Sequence, residues 1–152
     1  MSSAHAPGEG PRHVVFSLGE ELFAVPIGVV QEVLPLPAIT PVPRAPRWLL
    51  GVINRRGNIL GVVDIRDVLS CEDRDATNAA RLLVVTTERF TLALKVDSVE
   101  EIVGIHSDET IPAETSHARS TFVARAHVRG GRLISLLDLE PILNRDEFLV
   151  FQ

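Results

Sequence analysis

Few residues in this sequence have the type and spacing that catalysis requires. The one cysteine, Cys71, is followed by Glu72 and Asp73, whose negative charges disfavour the thiolate that acts as a nucleophile. The five histidines show neither an HExxH motif nor another spacing typical of metal ligands. Adjacent carboxylates such as Glu20 and Glu21 point in different directions on a strand or a helix, so they do not form acid–base pairs. We therefore expect a protein that is not an enzyme, with no catalytic residues, metal or cofactor.

Signatures of nucleotide binding are also missing from the sequence. It contains neither GxGxxG nor GxxxxGK[ST], the two glycine-rich patterns that hold phosphate groups. Backbone N–H groups in the segment 129–132, Arg-Gly-Gly-Arg, could hold an anion. A β-turn that requires positive φ angles is the simpler explanation of these glycines. A binding protein is therefore favoured over an enzyme.

The composition fits a folded domain in a reducing compartment. Of the 152 residues, 45% are hydrophobic and 23% are charged, which is typical of a chain with a buried core. A single cysteine cannot form an internal disulfide, and no apolar run approaches the roughly 18 residues of a membrane span. We therefore expect a cytoplasmic protein without direct membrane insertion.

The charge balance bears on the class of partner. A net charge of −5 disfavours nucleic acid, because proteins that bind it normally carry a basic face. The fifteen lysines and arginines could still cluster locally. A small β-barrel module that binds a ligand or a nucleic acid is therefore the alternative to a protein-binding domain.

Short apolar runs separated by turn residues predict strands over most of the chain. Apolar residues at three- and four-residue spacing predict helical turns, and five prolines between Pro35 and Pro46 predict an extended, irregular arm. The predicted strands are 14–18, 22–25, 49–53, 59–63, 81–86, 91–96 and 133–137, and the predicted helical turns are 27–34, 65–69, 96–103 and 139–143.

The second half of the chain repeats the first at two constant offsets. Each copy is too small to bury much core alone, and short strands at regular spacing are typical of small closed barrels. We therefore expect a mostly β fold, in which two tandem β-barrels pack together with short helical turns. The offset is 69 from Ile27, Val30 and Leu34 to Val96, Val99 and Val103 (96 − 27 = 69), and 74 from Arg55, Gly57 and Asp64 to Arg129, Gly131 and Asp138 (129 − 55 = 74).

The expected organisation of the chain follows from this repeat. Residues 1–11 are rich in glycine, proline and small polar residues, which indicates a flexible tail. The first barrel is expected at about 12–70, a link at about 71–80, the second barrel at about 81–143 and a C-terminal segment at 144–152.

A series of motifs resembles the CheW-like family over roughly residues 12–145. The opening segment 15–27, VFSLGEELFAVPI, is similar to the first strands of the family. Each motif is weak alone, but their order and spacing together make the resemblance specific. The other motifs are Val30-Gln31-Glu32-Val33, similar to V-Q-E-I; residues 51–59, similar to G-V-x-N-L-R-G-x-I; residues 62–66, similar to V-D-L-R; and residues 94–99, similar to V-D-x-V.

The resemblance implies two five-stranded SH3-like barrels and the function of an adaptor. Members of the family hold the cytoplasmic tip of a chemoreceptor in a groove between the barrels. They also bind the regulatory domain of a CheA-type histidine kinase, itself CheW-like, so that rings and arrays form. Nothing in the sequence resembles a phosphotransfer, ATP-binding or receiver domain. The implied function is a stand-alone adaptor, in chemotaxis or in a related motility or pilus pathway.

The same resemblance assigns residues to the receptor-binding groove. An apolar seam there would accept the apolar stripe of a receptor helix. Val30 and Val33 could instead belong to the core, and Asp97 could be an N-cap. The assigned residues are Val30, Glu32 and Val33 of the first barrel and Val96, Asp97 and Val99 of the second.

The resemblance also assigns a partner-binding turn to Asn54, Arg56 and Gly57. An exposed arginine without a partner is the plainer interpretation of Arg56, and Gly57 fits a backbone requirement. Arg55 stands where the family turn usually has leucine. Arg55 therefore either points to solvent or adjusts the choice of partner.

Overall fold

Strands dominate the computed structural model, which describes residues 9–72, 77–113 and 122–143. The mostly β fold class predicted from the sequence is confirmed. The strands are β1 (Arg12–Leu18), β2 (Glu21–Pro26), β3 (Val30–Pro35), β4 (Leu49–Arg55), β5 (Asn58–Val63), β6 (Arg81–Thr86), β7 (Thr91–Val96), β8 (Ser98–Gly104), β9 (Ile111–Pro112), β10 (Val123–Arg129) and β11 (Arg132–Leu137). The helices are α1 (Arg66–Leu69) and α2 (Leu139–Leu143), and 3₁₀ turns span Ile27–Val29 and Ser107–Glu109.

The strands form two sheets, each of which curls into a small barrel. The five-stranded barrel has the order β3-β6-β7-β5-β4, and the six-stranded barrel has the order β8-β1-β2-β11-β10-β9. In the six-stranded barrel, the outer strands β8 and β9 follow one another in the chain. In the five-stranded barrel, the chain that leaves the edge strand β3 passes along β4 at the opposite edge. There Thr40 and Val52 exchange backbone hydrogen bonds of 2.9 and 2.8 Å. This approach requires glycine at position 51, because a Cβ atom there would collide with the Thr40 carbonyl.

The repeat in the sequence extends to the pairing of the strands. In sheet order, β3, β6, β7, β5 and β4 correspond to β8, β1, β2, β11 and β10. Arg12 pairs with Gly104 and Arg81 pairs with Pro35, and the two pairs are related by the offset of 69 (81 − 12 = 69 and 104 − 35 = 69). Each barrel is therefore a copy of the other, and residues related by the offsets are called counterparts below.

The division of the chain between the barrels differs from the tandem arrangement expected at 12–70 and 81–143. The five-stranded barrel uses β3 to β7, whereas the six-stranded barrel combines β1 and β2 with β8 to β11. The first hairpin of each repeat, β1–β2 or β6–β7, therefore joins the later strands of the other repeat. Apolar runs and turns locate strands but do not reveal such long-range pairing. Most of the tail 1–11, the middle of the link 71–80 and all of the segment 144–152 lie outside the described residues.

The hairpins β1–β2 and β6–β7 form the centre of the molecule. On β1, Val15 faces the inside of the six-stranded barrel and Phe16 faces the space between the barrels. On β6, Val84 faces the inside of the five-stranded barrel and Leu83 the space between. Burial on both faces explains why these strands are continuous apolar runs without polar alternation. Phe16 also stacks on Phe23 across the β1–β2 hairpin, with ring centroids 6.1 Å apart.

The helical turns expected at 27–34 and 96–103 are wrong. A 3₁₀ turn ends at Val29 and β3 follows it, while 96–103 belongs to β7 and β8. Gln31 is an extra residue opposite β6, and its counterpart Glu100 is an extra residue opposite β1. Such a bulge locally lengthens the two-residue period of a strand to three. The bulges therefore give these strands the three-residue apolar spacing that is typical of a helix.

The short helices that the sequence predicts after Asp64 and Asp138 are present as α1 and α2. The Asp64 Oδ1 atom accepts the backbone N–H of Arg66 at 2.9 Å, and Asp138 Oδ1 accepts that of Glu140 at 3.2 Å. Each aspartate thus binds an N–H group that the first helical turn leaves unpaired. No helix among the described residues is long and apolar enough to cross a membrane.

Arg66, on α1, carries a positive charge into the core. Its exposed fraction is 2%, and its Nη1 and Nη2 atoms donate to Asp97 Oδ1 at 3.0 and 2.7 Å. Asp97 Oδ2 accepts the Gly19 N–H at 2.7 Å, and the Asp97 N–H donates to the Ser17 carbonyl oxygen at 2.9 Å. These bonds join α1, the β7–β8 connection and the β1–β2 turn. Pairing and hydrogen bonding offset the desolvation of both charges.

Removal of one partner of this ion pair should destabilise the fold strongly. Asp97→Ala leaves the buried Arg66 without its main carboxylate, and we expect the free energy of unfolding to fall by about 3–5 kcal/mol. The double variant with Arg66→Met should recover much of this loss, because no charge is then buried. Chemical denaturation would measure both changes.

The exposed ion pair between Glu101 and Arg129 provides the control. Its side chains are 42% and 45% exposed, so Glu101→Ala should cost at most about 1 kcal/mol. If Asp97→Ala costs no more than Glu101→Ala, the buried pair does not have this role.

Candidate functional site

The β4–β5 hairpin contains the predicted partner-binding turn and reverses in two residues. Arg55 pairs with Asn58, so Arg56 and Gly57 alone form the turn, with φ angles of 53° and 83°. The Asn54 Oδ1 atom accepts the Gly57 N–H at 3.0 Å. Positive φ at both central positions is typical of a type I′ turn, whose twist matches that of the strands. Asn54 and Gly57 therefore shape the turn, and the exposed Arg56 lies at its tip.

Arg56 occupies a backbone conformation that favours glycine. In the counterpart hairpin the two turn residues are Gly130 and Gly131, with φ angles of 56° and 79°. A residue with a side chain costs roughly 1–2 kcal/mol in this left-handed region. The second copy shows which residue the turn prefers. In the first copy this glycine is replaced by Arg56, the arginine that the resemblance assigns to partner binding.

An ion pair between Glu32 and Arg55 joins the two edge strands of the five-stranded barrel. The Arg55 Nε atom donates to Glu32 Oε2 at 2.8 Å, and Nη2 also donates to Oε1. Because β3 and β4 stand at opposite ends of the sheet order, this two-bond contact helps to close the barrel. Its counterpart is the pair of Glu101 and Arg129, at 3.0 Å. Arg55 therefore does not simply point to solvent.

The same ion pair keeps Glu32 charged. The hydrogen bonds from Arg55 are the main reason that the pKa of Glu32 lies below its ordinary value; partial burial opposes them, and the charges of Arg55 and Arg56 add to them. Both side chains of the pair are about a third exposed, so water screens part of the attraction. At neutral pH Glu32 is therefore charged and already paired with Arg55 when another protein binds.

An open cavity of about 530 Å³ lies next to this turn, and Glu32, Arg55, Arg56 and Ile59 are among its lining residues. Ile59 is 64% exposed, more than any other large hydrophobic side chain among the described residues. An exposed apolar side chain framed by arginines is typical of a protein-binding surface. We call the surface formed by these four residues the basic end.

The β10–β11 hairpin carries the counterpart surface, with the opposite charge. Leu133, the counterpart of Ile59, is 51% exposed. The basic end has one net positive charge, from two arginines and one glutamate. The counterpart surface has two net negative charges, from four glutamates and two arginines, and we call it the acidic end. Its residues are Leu133, Glu20, Glu21, Glu100, Glu101, Arg129 and Arg132.

The residues assigned to the receptor groove do not all share one surface. Val33 is 43% exposed on β3, whereas Val96 is fully buried, which corrects the expected groove contact of Val96. Asp97 is held in the ion pair with Arg66, and 15% of its side chain is exposed. Val30 and Val99 are counterparts, and both are partly buried against the core between the barrels. Of the assigned valines, Val33 is therefore the most accessible to a partner.

Groups suited to metal or nucleophilic chemistry are not assembled in the part of the chain that the structure describes. No three His, Cys, Asp or Glu side chains are grouped there as a metal site requires. The Cys71 Sγ atom lies 3.3 Å from Glu21 Oε2, and a neighbouring carboxylate disfavours the thiolate.

Comparison with known proteins agrees with this architecture. A family model described as the CheW-like domain matches residues 12–147. The chain belongs to the CheW-like family. Chemotaxis protein CheW of Rhizobium meliloti (strain 1021) is 30% identical over 151 residues, which is 96% of each chain. The crystal structure of the scaffolding protein TtCheW from Thermoanaerobacter tengcongensis matches with a TM-score of 0.82 and 27% identity, over 97% of this chain and 96% of that one.

A partial relative has a different name. Protein PilI of Pseudomonas aeruginosa is 36% identical over 84 residues, which is 55% of this chain and 47% of that protein. The similarity therefore extends to a protein that is not named for chemotaxis.

Sequence reasoning missed the partner of Arg55. The CheW-like pattern has leucine at this position and therefore offered no partner for an arginine. The repeat contained a signal, because Glu101 and Arg129 place the same two residue types at the counterpart positions of Glu32 and Arg55. The exposure of Ile59 was also missed, since one apolar residue after a turn looks the same whether it faces the core or solvent.

Arg55→Leu, which introduces the residue usual in the family, should release Glu32. We expect the pKa of Glu32 to rise towards its ordinary value of 4.5, because the hydrogen bonds that lower it are lost. In the unchanged chain the pair stabilises the fold at neutral pH, and this contribution is lost as the pH falls below 4.5 and through the lowered pKa. NMR titration of the Glu32 carboxyl group would measure the shift.

Arg56→Leu is the matched control for this titration, since it removes a nearby charge but no hydrogen bond to Glu32. It should raise the pKa of Glu32 less than Arg55→Leu does. An unchanged pKa in Arg55→Leu would contradict the ion pair.

Proposed function

We propose that this chain is a non-enzymatic adaptor that couples chemoreceptors (methyl-accepting chemotaxis proteins) to a CheA-type histidine kinase in a cytoplasmic chemosensory array. Membership of the CheW-like family supports this, as do a relative named as a chemotaxis protein and a solved structure named as a scaffolding protein. The observation that carries the proposal is Arg56, which stands in a left-handed conformation beside the exposed Ile59. Arg44 shares the left-handed conformation, so the support comes from the combination of Arg56 with an exposed apolar side chain at an open cavity.

The basic end is the proposed contact for the kinase. The guanidinium of Arg56 can form a planar, two-bond pair with a carboxylate of the partner, while Ile59 supplies apolar area. In the CheW-like family the regulatory domain of the kinase is itself CheW-like, so it can present an end similar to the acidic end of this chain. Opposite charges on the two surfaces would orient the encounter and speed association.

The exposed edge of β3 is the proposed contact for the receptor. Val33 offers an exposed apolar side chain, and Val30 on the same strand packs against the core behind it. An amphipathic receptor helix would place its apolar side chains against such a strand. Glu32 would contribute through its ion pair with Arg55, so this pair lies between the two proposed contacts.

Arg56→Gly should separate binding from stability. It places the residue of the counterpart turn in a left-handed position, so the free energy of unfolding should stay equal or rise by about 1 kcal/mol. Affinity for the CheA-type kinase of the same organism should fall about tenfold or more, or by at least about 1.4 kcal/mol, because the guanidinium is lost. Thermal denaturation and isothermal titration calorimetry would measure the two effects.

Arg44 provides a matched control for this variant, because it is also exposed and left-handed, with a φ of 60°, but lies outside the basic end. Arg44→Gly should stabilise the fold to a similar degree and leave kinase binding unchanged. Normal kinase affinity in a folded Arg56→Gly protein would remove Arg56 from the interface.

Val33→Asp should weaken receptor binding selectively. A carboxylate in an apolar contact is costly to desolvate, so we expect affinity for a receptor signalling fragment to fall about tenfold while kinase affinity is unchanged. Surface plasmon resonance with each partner would show the difference. The control is Ile102→Asp, at the counterpart position on β8, where 53% of the side chain is exposed. Equal losses in the two variants, or an equal loss of kinase binding, would contradict a receptor contact at β3.

A further inference from the structure

A cavity of about 330 Å³ lies beside α2 and shares no lining residue with the basic or acidic end. Most of its lining is apolar and comes from the six-stranded barrel and α2. Thr87, in the β6–β7 turn, adds a wall from the other barrel. The apolar lining includes Ala24, Val29, Phe122, Leu136 and Leu139.

The counterpart cavity in the five-stranded barrel is smaller, at about 220 Å³, and Trp48, Leu50 and Asp64 line it in place of Phe122, Ala124 and Asp138. Its part next to Ile65 and Arg66 is filled. Ile65 and Arg66, the counterparts of Leu139 and Glu140, are 0% and 2% exposed. Arg66 occupies that space because it reaches Asp97. The counterpart of Asp97 is Gly28 (97 − 69 = 28), where an added Cβ atom would meet nothing within 4 Å. The cavity of the six-stranded barrel is therefore larger and more apolar than its counterpart, which is lined by Arg47, Asp64 and Asp67 and where the buried Arg66 takes up part of the space.

The chain after α1 shows how a following segment covers a barrel. Ser70 takes a left-handed φ of 56°, and Cys71 then packs against the core between the barrels. Glu72 lies beside Gly19 in the β1–β2 turn. Residues 144–146 stand at the counterpart positions after α2. The counterpart of the β1–β2 turn is the β6–β7 turn, which borders the cavity.

We infer that this cavity is the binding site for the chain's own apolar segment 148–151, Phe-Leu-Val-Phe. The segment starts five residues after Leu143, where α2 ends (148 − 143 = 5), and five extended residues span up to about 18 Å. Because α2 itself lines the cavity through Leu139, this reach is sufficient. Docking removes apolar surface of both the segment and the cavity from water. The segment would then follow α2 past the β6–β7 turn, as Cys71 and Glu72 follow α1 past the β1–β2 turn.

Paramagnetic relaxation enhancement tests this contact in the full chain. Gln152→Cys in a Cys71→Ser background provides one attachment site for a nitroxide label next to the segment. We expect loss of amide peak intensity at Val29 and Thr87, which line the cavity. Gly131 should keep its intensity, because it lies at the far end of β11 from Leu136.

Sequence changes in the segment supply the controls. Phe148→Ser with Phe151→Ser should abolish the intensity loss, whereas Ile59→Ser, at an exposed apolar site outside the cavity, should leave it unchanged. Without any label or cysteine change, the double variant should also show faster hydrogen exchange at the Asp138 N–H, which donates to the Phe122 carbonyl oxygen at 2.9 Å beside the cavity.

Two outcomes would overturn the inference. One is unchanged intensity at Val29 and Thr87, or an equal loss at Gly131. The other is a loss that appears only between nitroxide-labelled and ¹⁵N-labelled molecules in a mixture, which would assign the cavity to a second copy of the chain. Because no receptor or kinase is used, neither outcome bears on the adaptor function.

Discussion

The buried ion pair of Arg66 and Asp97 holds one of the two places where the chain passes from one barrel to the other. Asp97 stands where the chain leaves β7 of the five-stranded barrel and enters β8 of the six-stranded barrel. Its carboxylate binds both the Arg66 guanidinium on α1 and the Gly19 N–H in the β1–β2 turn. A charge at this depth is tolerated only when it is paired and hydrogen-bonded. The junction is therefore specific for one arrangement, and it fixes the two barrels relative to each other where they meet.

Strand exchange makes each barrel a product of both repeats, but the two similar ends come from the repeat itself, because each repeat supplies all the features of one end. Each end consists of a two-residue hairpin turn, an exposed apolar side chain (Ile59 or Leu133) and an ion pair across the barrel edge. The two ends have net charges of opposite sign, however, so they are not equivalent. An adaptor with two weak, directional contacts gains effective affinity when many copies assemble, because each bound contact raises the local concentration of the next.

Local features of this fold could be predicted from the sequence, whereas strand partners could not. Turn glycines such as Gly57 and the aspartate Asp64 before α1 depend on neighbours in the chain, so three hairpins and α1 were predicted near their true bounds. In the fourth hairpin the turn at Gly131 and β11 were predicted, but β10 was not. The pairing of β3 with β6 depends on which faces become buried when the barrels close. The bulges at Gln31 and Glu100 also hid two strands behind a helix-like spacing. The ion pair between Glu32 and Arg55 was missed because its partners lie 23 residues apart and meet only in the closed barrel.

Comparison of the two copies within one chain separates residues that the fold requires from those that need another explanation. The ion pair across the barrel edge is present in both copies, so it belongs to the architecture. Asp97 differs from its counterpart Gly28, but the difference is matched by bonds to Arg66 and Gly19, so structure explains it. Arg56 differs from its counterpart Gly130 at a conformational cost and remains exposed. Because the fold gains nothing evident from this arginine, we propose a partner outside the chain as the reason for its presence.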